Sequence, residues 1–526
     1  MNYADLVRVT LPETALEVAA LVVLIVDLGF LRKAALKMRV AVAALLGVAG
    51  CGAALWMMQT LRPASLSFGE YGESPLLITF GYVQVAQIGI LVLTALTLLL
   101  LIDSVFTRHV GEYVSVVLMA AAGGLLIAGA QDLLVIFVGL ELLSLGLYIL
   151  TAFAKSSGKS AEAAIKYYLY GGMSAAFLLF GFSYFYGLSG TTDLAGIQLA
   201  ITQQGPSPLF YAAWVLVVAG LGFKIAAVPF HLWAPDTYEG APAPAAAFIA
   251  SVSKVASFAL LITLSVNWLM VSVRGDVVTD STEAFFRQCY GIWPQLATVL
   301  FLAAAASMIV GNLAALAQVS TRRLLAYSAI AHSGYILLGV AAYRPYTGQA
   351  DVIQFMLDSD GPAIQSTNAV LYYVLTYGLT TIGAFGVVGV VERATGSDRL
   401  DSFLGLHKRN PLLAAVLLVL FLSLAGIPPL VGFWAKFNLF AAVLGVSAGP
   451  VPFALVALAV AFSAVSLYYY LQVLKRAYVM PAVDETPIKA HPVTLAVLVT
   501  IAAAVVVLGC FPALLQGWIQ SFYPVP

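Results

Sequence analysis

Charged side chains are scarce in this sequence: Asp, Glu, Lys and Arg make up 10% of its 526 residues, against roughly 25% in a soluble domain. With 62% hydrophobic residues, the scarcity excludes an ordinary soluble fold and implies an integral membrane protein of many helices. Net charge is missing too: 25 basic residues balance 25 acidic ones and leave no excess that would attract nucleic acid. Cysteine is nearly absent. Cys51, Cys289 and Cys510 stand far apart without a CxxC pair, which argues against a metal, an iron–sulfur cluster or a disulfide and reads as small apolar packing. No GxGxxG follows a strand, no phosphate-binding glycine loop is present, and no two histidines lie four residues apart in an apolar helix. Redox and nucleotide cofactors are therefore not expected in this chain. The amino-terminal MNYADLVRVTLPETALE lacks a basic run before a short apolar core and a small-residue cleavage site, so the first apolar run is expected to be a spanning helix and not a removable signal.

What is present is a succession of long apolar runs. With about 20 residues needed to cross a bilayer, fourteen segments are expected, at approximately 14–31, 38–58, 76–101, 113–130, 132–153, 162–187, 208–230, 243–268, 294–317, 323–342, 368–391, 411–445, 452–474 and 493–513. The twelfth is too long for one straight span and contains Ile427-Pro428-Pro429; two prolines remove two amide donors and crowd the preceding turn, which predicts a broken helix. The basic residues check the count. Loops after odd-numbered segments hold 17 of them, from Arg32 to Lys489, and the opposite side holds five, Arg8, Arg62, Arg274, Arg287 and Arg344. By the positive-inside rule the rich side is cytoplasmic, with both termini on the periplasmic side.

Three basic residues are left over, Lys224, Lys254 and Lys436, and all three fall inside spans. A lysine at the bilayer centre costs about 2.5–3.5 kcal/mol on insertion scales and marks a functional position by default. Lys224 and Lys254 lie in one stretch, Leu221 to Phe258, on either side of Pro229, Pro235, Pro242 and Pro244. Such a break leaves carbonyls without donors, which is tolerated in a membrane where protein or water satisfies them. The matching intramembrane acid is Glu141. A buried ammonium is disfavoured by desolvation and favoured again by a nearby carboxylate, so a partner that approaches or leaves can switch it. Glu141 is the candidate switch for Lys224, the alternative being a static pair that holds two helices in register. His332 shares its helix with Tyr327, Ser328, Ser333 and Tyr335 and suits either a proton relay or a packing role. His231 is expected at a helix end as a cap or loop residue. Asp27, near the end of the first helix, is expected to pair with Arg32 or to snorkel; Asp132 and Glu162 sit at helix starts, where the dipole favours them.

An internal repeat is also expected. Glu141 lies eight residues after Leu133 in the fifth segment and His332 eight after Leu324 in the tenth, while the seventh and twelfth both carry prolines beside a lysine. An offset of five segments is odd and would invert one copy relative to the other.

GFKIAAVPFHLWAPDTYEGAP, LLAYSAIAHSGYILLG and LAGIPPLVGFWAKF closely resemble the antiporter-like membrane subunits of respiratory complex I, the proton-translocating NADH:quinone oxidoreductase. LYYVLTYGLTTIGAFGVV, from Leu371 to Val388, is more similar to the N-type subunit than to its L- and M-type relatives. The chain also ends soon after the fourteenth segment, without the lateral helix of the L-type. The resemblance implies an all-α polytopic fold of about fourteen helices with two inverted five-helix repeats and broken helices 7 and 12. It divides the chain into an N-terminal three-helix part (1–111), a first repeat (112–268), a second repeat (269–478) and a C-terminal helix (479–526). It implies roles in proton transfer for Glu141, Lys224, Lys254 and Lys436, with His332 nearby. It further implies M-type and K-type neighbours and a peripheral arm as partners, and residence in the bacterial cytoplasmic (inner) membrane. NADH, FMN, iron–sulfur clusters and quinone would belong to the assembled complex and none to this chain. A subunit of a multisubunit cation/proton antiporter is the alternative, and a scaffold whose ion pairs only fix helix packing a third.

Overall fold

The computed structural model describes residues 7, 9–60, 65–67, 75–104, 106–267, 280–342, 362–446, 449–482 and 484–522, with the backbone alone at 60, 65–67, 202, 266–267, 280–294, 362–364 and 446. Of the outer-side arginines, Arg8, Arg62, Arg274 and Arg344 lie outside the described residues, as do the side chains of Arg287 and Cys289.

The helices are α1 (Leu11–Ile25), α2 (Leu36–Thr60), α3 (Tyr82–Leu101), α4 (Val110–Gly129), α5 (Leu133–Thr151), α6 (Gly158–Ser189), α7 (Leu194–Gln204), α8 (Pro208–Ile225) and α9 (Trp233–Gly240). They continue as α10 (Ala243–Asn267), α11 (Asp280–Leu316), α12 (Thr321–Ala341), α13 (Pro362–Thr395), α14 (Pro411–Ala425), α15 (Val431–Val446), α16 (Pro450–Tyr478), α17 (Pro492–Cys510) and α18 (Pro512–Gln520). A two-stranded hairpin, β1 (Ser65–Ser67) with β2 (Pro75–Ile78), precedes α3. Among the described residues, twelve helices are long and apolar enough to cross a membrane. α1, extended by the π turn Val26–Phe30, and the consecutive pair α14 and α15 supply two more. Together these described helices overlap each of the fourteen apolar runs expected from the sequence.

Both expected breaks are present, and each begins at a residue in the left-handed region. α8 ends at Ala226 (φ 58°) and α14 at Gly426 (φ 87°), and prolines at 229 and at 428–429 prevent the helix from resuming in register.

The two repeats meet the same packing problem with the same backbone solution. A Cβ on Gly123 of α4 would lie 2.6 Å from the Leu143 nitrogen and 3.0 Å from the Gly139 oxygen of α5; one on Gly311 of α11 would lie 2.6 Å from the Ala331 nitrogen and 2.8 Å from the Tyr327 oxygen of α12. Each of these three pairs of positions is separated by 188 residues. So are Asp132 and Ser320, which cap α5 and α12 and make isolated bridges to Asp193 and Arg399. This register corrects the sequence alignment by three residues: it sets Ser144, not Glu141, opposite His332.

α10 lies at the centre and is buried along nearly its whole described length, as is α12 beside it. At one end, Asp236 joins Lys166 (2.7 Å) and Arg323 (2.6 Å), and Glu239 joins Lys159 (2.9 Å) and Arg323 (3.1 Å). α9, freed from α8 by the break, is thereby tied to both repeats. Asp27 is buried, as burial in a pair requires, but its partner is Arg39 on α2 through two bonds of 2.7 and 2.6 Å, not Arg32. The π turn carries the carboxylate back toward the second helix, where it also accepts from Gly111 N (3.0 Å).

Candidate functional site

The breaks position the lysines because each proline leaves a carbonyl without its helical donor. In α14 the amides that would serve Leu424 O and Ala425 O belong to Pro428 and Pro429 and carry no hydrogen. The Lys436 ammonium takes their place, donating to Ala425 O (2.9 Å), Leu424 O (3.2 Å) and Ser463 Oγ on α16 (2.8 Å). In α8 the donor missing from Ile225 O is that of Pro229. Ser333 Oγ on α12 donates to Ile225 O at 2.6 Å. The same hydroxyl accepts from Lys254 Nζ at 2.6 Å, and Ala329 O is the second acceptor for that ammonium at 2.5 Å. Val228 N, displaced from the helix, donates to Ser307 Oγ (2.9 Å). One serine thus connects Lys254 to the backbone beside Lys224.

Lys224 is 7% exposed and donates to Ser144 Oγ at 2.5 Å. Glu141, one helical turn earlier on α5, is half-buried. Among the described residues it forms no ion pair with Lys224, contrary to the direct pairing that the sequence suggests. The group that Lys224 contacts on α5 is the Ser144 hydroxyl, which in turn donates to Leu140 O. Lys224 also stands 5.9 Å from the Tyr148 ring centroid, Lys254 5.3 Å from that of Tyr377, and Lys436 5.4 Å from that of Tyr335. Aromatic faces stabilise a cation without fixing it in a carboxylate's grip.

His332 is buried on α12, its Nδ1 2.8 Å from the Tyr373 hydroxyl and its ring against Tyr377. A cavity of about 10 Å³ adjoins it, lined by His332, Thr376, Thr380, Ser423 and Leu424, which is about the space one water needs. It separates the Lys254 side of the site from the carbonyl that receives Lys436. The structure sets Lys254, His332 and Lys436 around shared rings: Tyr377 faces both Lys254 and His332, and Tyr335 faces both His332 and Lys436. Lys224 joins them through Ile225 and Ser333, and Glu141 stands at their edge. His231 lies between α8 and α9, in the break itself, as a loop residue.

The residues that sequence reasoning did not single out are the hydroxyls. Ser144 is three residues after Glu141 on the same helical face, a spacing that could have exposed it. Ser463 is an ordinary serine in an apolar helix and carries no local signal. Tyr373 is one of many buried tyrosines, and only the fold shows that it meets His332.

A family model described as NADH:quinone oxidoreductase/Mrp antiporter, TM, matches residues 130–276 and 284–463, a region that contains all five of the candidate residues. The chain belongs to this family. Within it, the NADH-quinone oxidoreductase subunit N 2 of Acidobacterium capsulatum is 46% identical, with 99% of each chain covered. A chain of the Thermus thermophilus respiratory complex I with bound aureothin is 33% identical at a TM-score of 0.73, over 96% of this chain and 98% of that one. A chain of the Mrp complex from Dietzia sp. shares the fold at a TM-score of 0.76 and 21% identity, covering 98% and 96%. The likeness to family members extends over nearly the full length.

Proposed function

We infer that this chain is the N-type proton-translocating membrane subunit of a bacterial NADH:quinone oxidoreductase. It takes part in that enzyme without redox chemistry of its own; NADH, FMN, iron–sulfur clusters and quinone act in its partners, among them M-type and K-type neighbours. Residues 112–268 and 269–478 form the two inverted repeats, and the termini face the periplasm. Redox energy released elsewhere alters the field of Glu141 on Lys224. The change passes through the Ser333 hydroxyl to Lys254, and from there by way of His332 and the adjoining one-water cavity to Lys436.

One observation carries this reading. The three buried lysines are held by hydroxyls, carbonyls and ring faces, with no carboxylate in ion-pair contact among the described residues. A structural ion pair is costly to separate, whereas an ammonium on such acceptors can lose its proton without leaving a buried anion behind. The test is Lys436→Arg beside Lys436→Ala. Guanidinium keeps its proton at working pH, so both variants are expected to abolish NADH-driven acidification in reconstituted vesicles while the complex still assembles. Normal acidification with Lys436→Arg would sink the relay. A cation/proton antiporter subunit would instead respond to an imposed sodium gradient without NADH or quinone.

A further inference from the structure

The break at the end of α8 leaves Phe223 O short of its regular donor. In an uninterrupted helix that donor would be Ala227 N, which bonds instead to Gly222 O (2.7 Å), while Ala226 N turns back to Phe223 O at 3.0 Å. A second donor comes from the other half of the broken helix. Trp233, the first residue of α9 and 2% exposed, donates its indole N–H to Phe223 O at 2.9 Å. The second break covers the corresponding carbonyl in another way. Ser423 O also lies three residues before the left-handed position and accepts from that residue's amide at 2.9 Å, but a Cβ on Gly432 would overlap this oxygen, so backbone packs where the indole packs in α8. The indole bridge belongs to the break that carries Lys224.

The same ring completes an aromatic wall beside the ammonium. Trp233 stacks on Tyr167 of α6, with centroids 4.3 Å apart and planes 7° from parallel, and meets Phe223 at 5.1 Å. Tyr167 in turn meets Tyr148 of α5 edge-on at 4.8 Å. The circuit closes at Lys224, whose Nζ is 5.5 Å from the Phe223 centroid and 5.9 Å from that of Tyr148, both within cation–π range. Gly171 on α6 makes room for Tyr148, because a Cβ there would overlap the phenol. Two ties join α6 to α9: Lys166 pairs with Asp236 at 2.7 Å, and Tyr167, the next residue of α6, stacks on Trp233 one turn before Asp236. Trp233 therefore connects the charged clamp on α9 to the wall beside Lys224.

We propose that Trp233 is a positioning residue for Lys224: its N–H fixes the last turn of α8, and its ring backs the wall that holds the ammonium on the Ser144 hydroxyl. The proposal rests on the relay reading, in which Lys224 works from that seat. Trp233→Phe keeps the stack and removes the N–H, whereas Trp233→Leu removes both. Each is made alone, and Trp233→Phe also together with Ser144→Ala; NADH-driven acidification is measured per assembled complex in vesicles. Trp233→Phe is expected to lower the rate about fivefold and Ser144→Ala about tenfold or more, with Trp233→Leu below Trp233→Phe. Residues that act through one contact do not add, so the double variant is expected to pump within about twofold of Ser144→Ala alone. Losses that multiply would overturn the assignment, because a purely structural tryptophan acts independently of Ser144. Wild-type pumping in Trp233→Phe would overturn the role of the N–H. Wild-type pumping in Trp233→Leu would overturn that of the ring, as would failure of that variant to assemble, since the ring would then serve folding. Lys224→Ala, run beside them, separates the two readings: normal pumping there overturns the relay itself, whereas lost pumping there with multiplying losses at Trp233 overturns the positioning role alone.

Discussion

Ser333→Ala removes a single oxygen on which two parts of the site converge. Ser333 Oγ accepts from Lys254 Nζ at 2.6 Å and donates to Ile225 O at 2.6 Å. A hydrogen bond to a charged group contributes about 1.5–3 kcal/mol. At 1.36 kcal/mol per factor of ten, the charged form of Lys254 loses on the order of ten- to a hundredfold in occupancy, with Ala329 O its remaining acceptor. Ile225 O, already without the proline's missing amide, becomes a buried acceptor with no donor, at a further cost of about 1–3 kcal/mol. The second term weakens the subunit and the first weakens the relay, so Ser333→Thr, which keeps the hydroxyl, serves as the control. The assay is the initial rate of NADH-driven acidification per assembled complex in vesicles. The alanine variant is expected to fall at least tenfold and the threonine variant less than threefold. An assembled Ser333→Ala complex that pumps at the wild-type rate would refute the idea that the serine links the two lysines.

The two breaks give an asymmetric prediction. Gly426→Ala places a Cβ 3.1 Å from Lys436 Nζ at φ +87° and carries a left-handed penalty of about 1–2 kcal/mol, so pumping should drop several-fold, whereas Ala226→Gly relieves the same penalty and should leave the subunit assembled and its thermal midpoint unchanged or higher. Asp27→Ala leaves Arg39 without its buried partner, a loss of about 3–5 kcal/mol; the amount of subunit in the membrane should fall several-fold while acidification per assembled complex stays at the wild-type level. A specific pumping defect in Asp27→Ala would place that carboxylate on the proton route.

The crossings were legible because apolar length and loop charge are local properties of the chain. Pro229 and Pro428-Pro429 announce the breaks, and Lys224, Lys254 and Lys436 announce the site, since a lysine in an apolar run has no cheap explanation. What the sequence could not reveal is which group each lysine meets. Asp27 has Arg32 and Arg39 within reach, and only the π turn decides for Arg39. Glu141 looks like the direct partner of Lys224, yet Ser144, a turn further on, makes the contact. The repeat register slipped for a related reason. Leu133 and Leu324 are common residues and poor anchors, whereas the glycines that let two backbones touch, Gly123 and Gly311, hold the true alignment.

Counting hydrogens at Lys436 shows what its setting demands. Three acceptors surround the ammonium, two of them carbonyl oxygens and one the Ser463 hydroxyl. A charged lysine has three N–H bonds to offer, whereas a neutral one has two and a lone pair. Carbonyls can only accept, so when the proton departs they retain the two donors, and it is the hydroxyl that must turn around and donate to nitrogen. Among its three described acceptors, Ser463 is thus the one whose orientation depends on whether that proton is present. The carbonyls left bare by Pro428 and Pro429 thus keep their lysine donors in either protonation state.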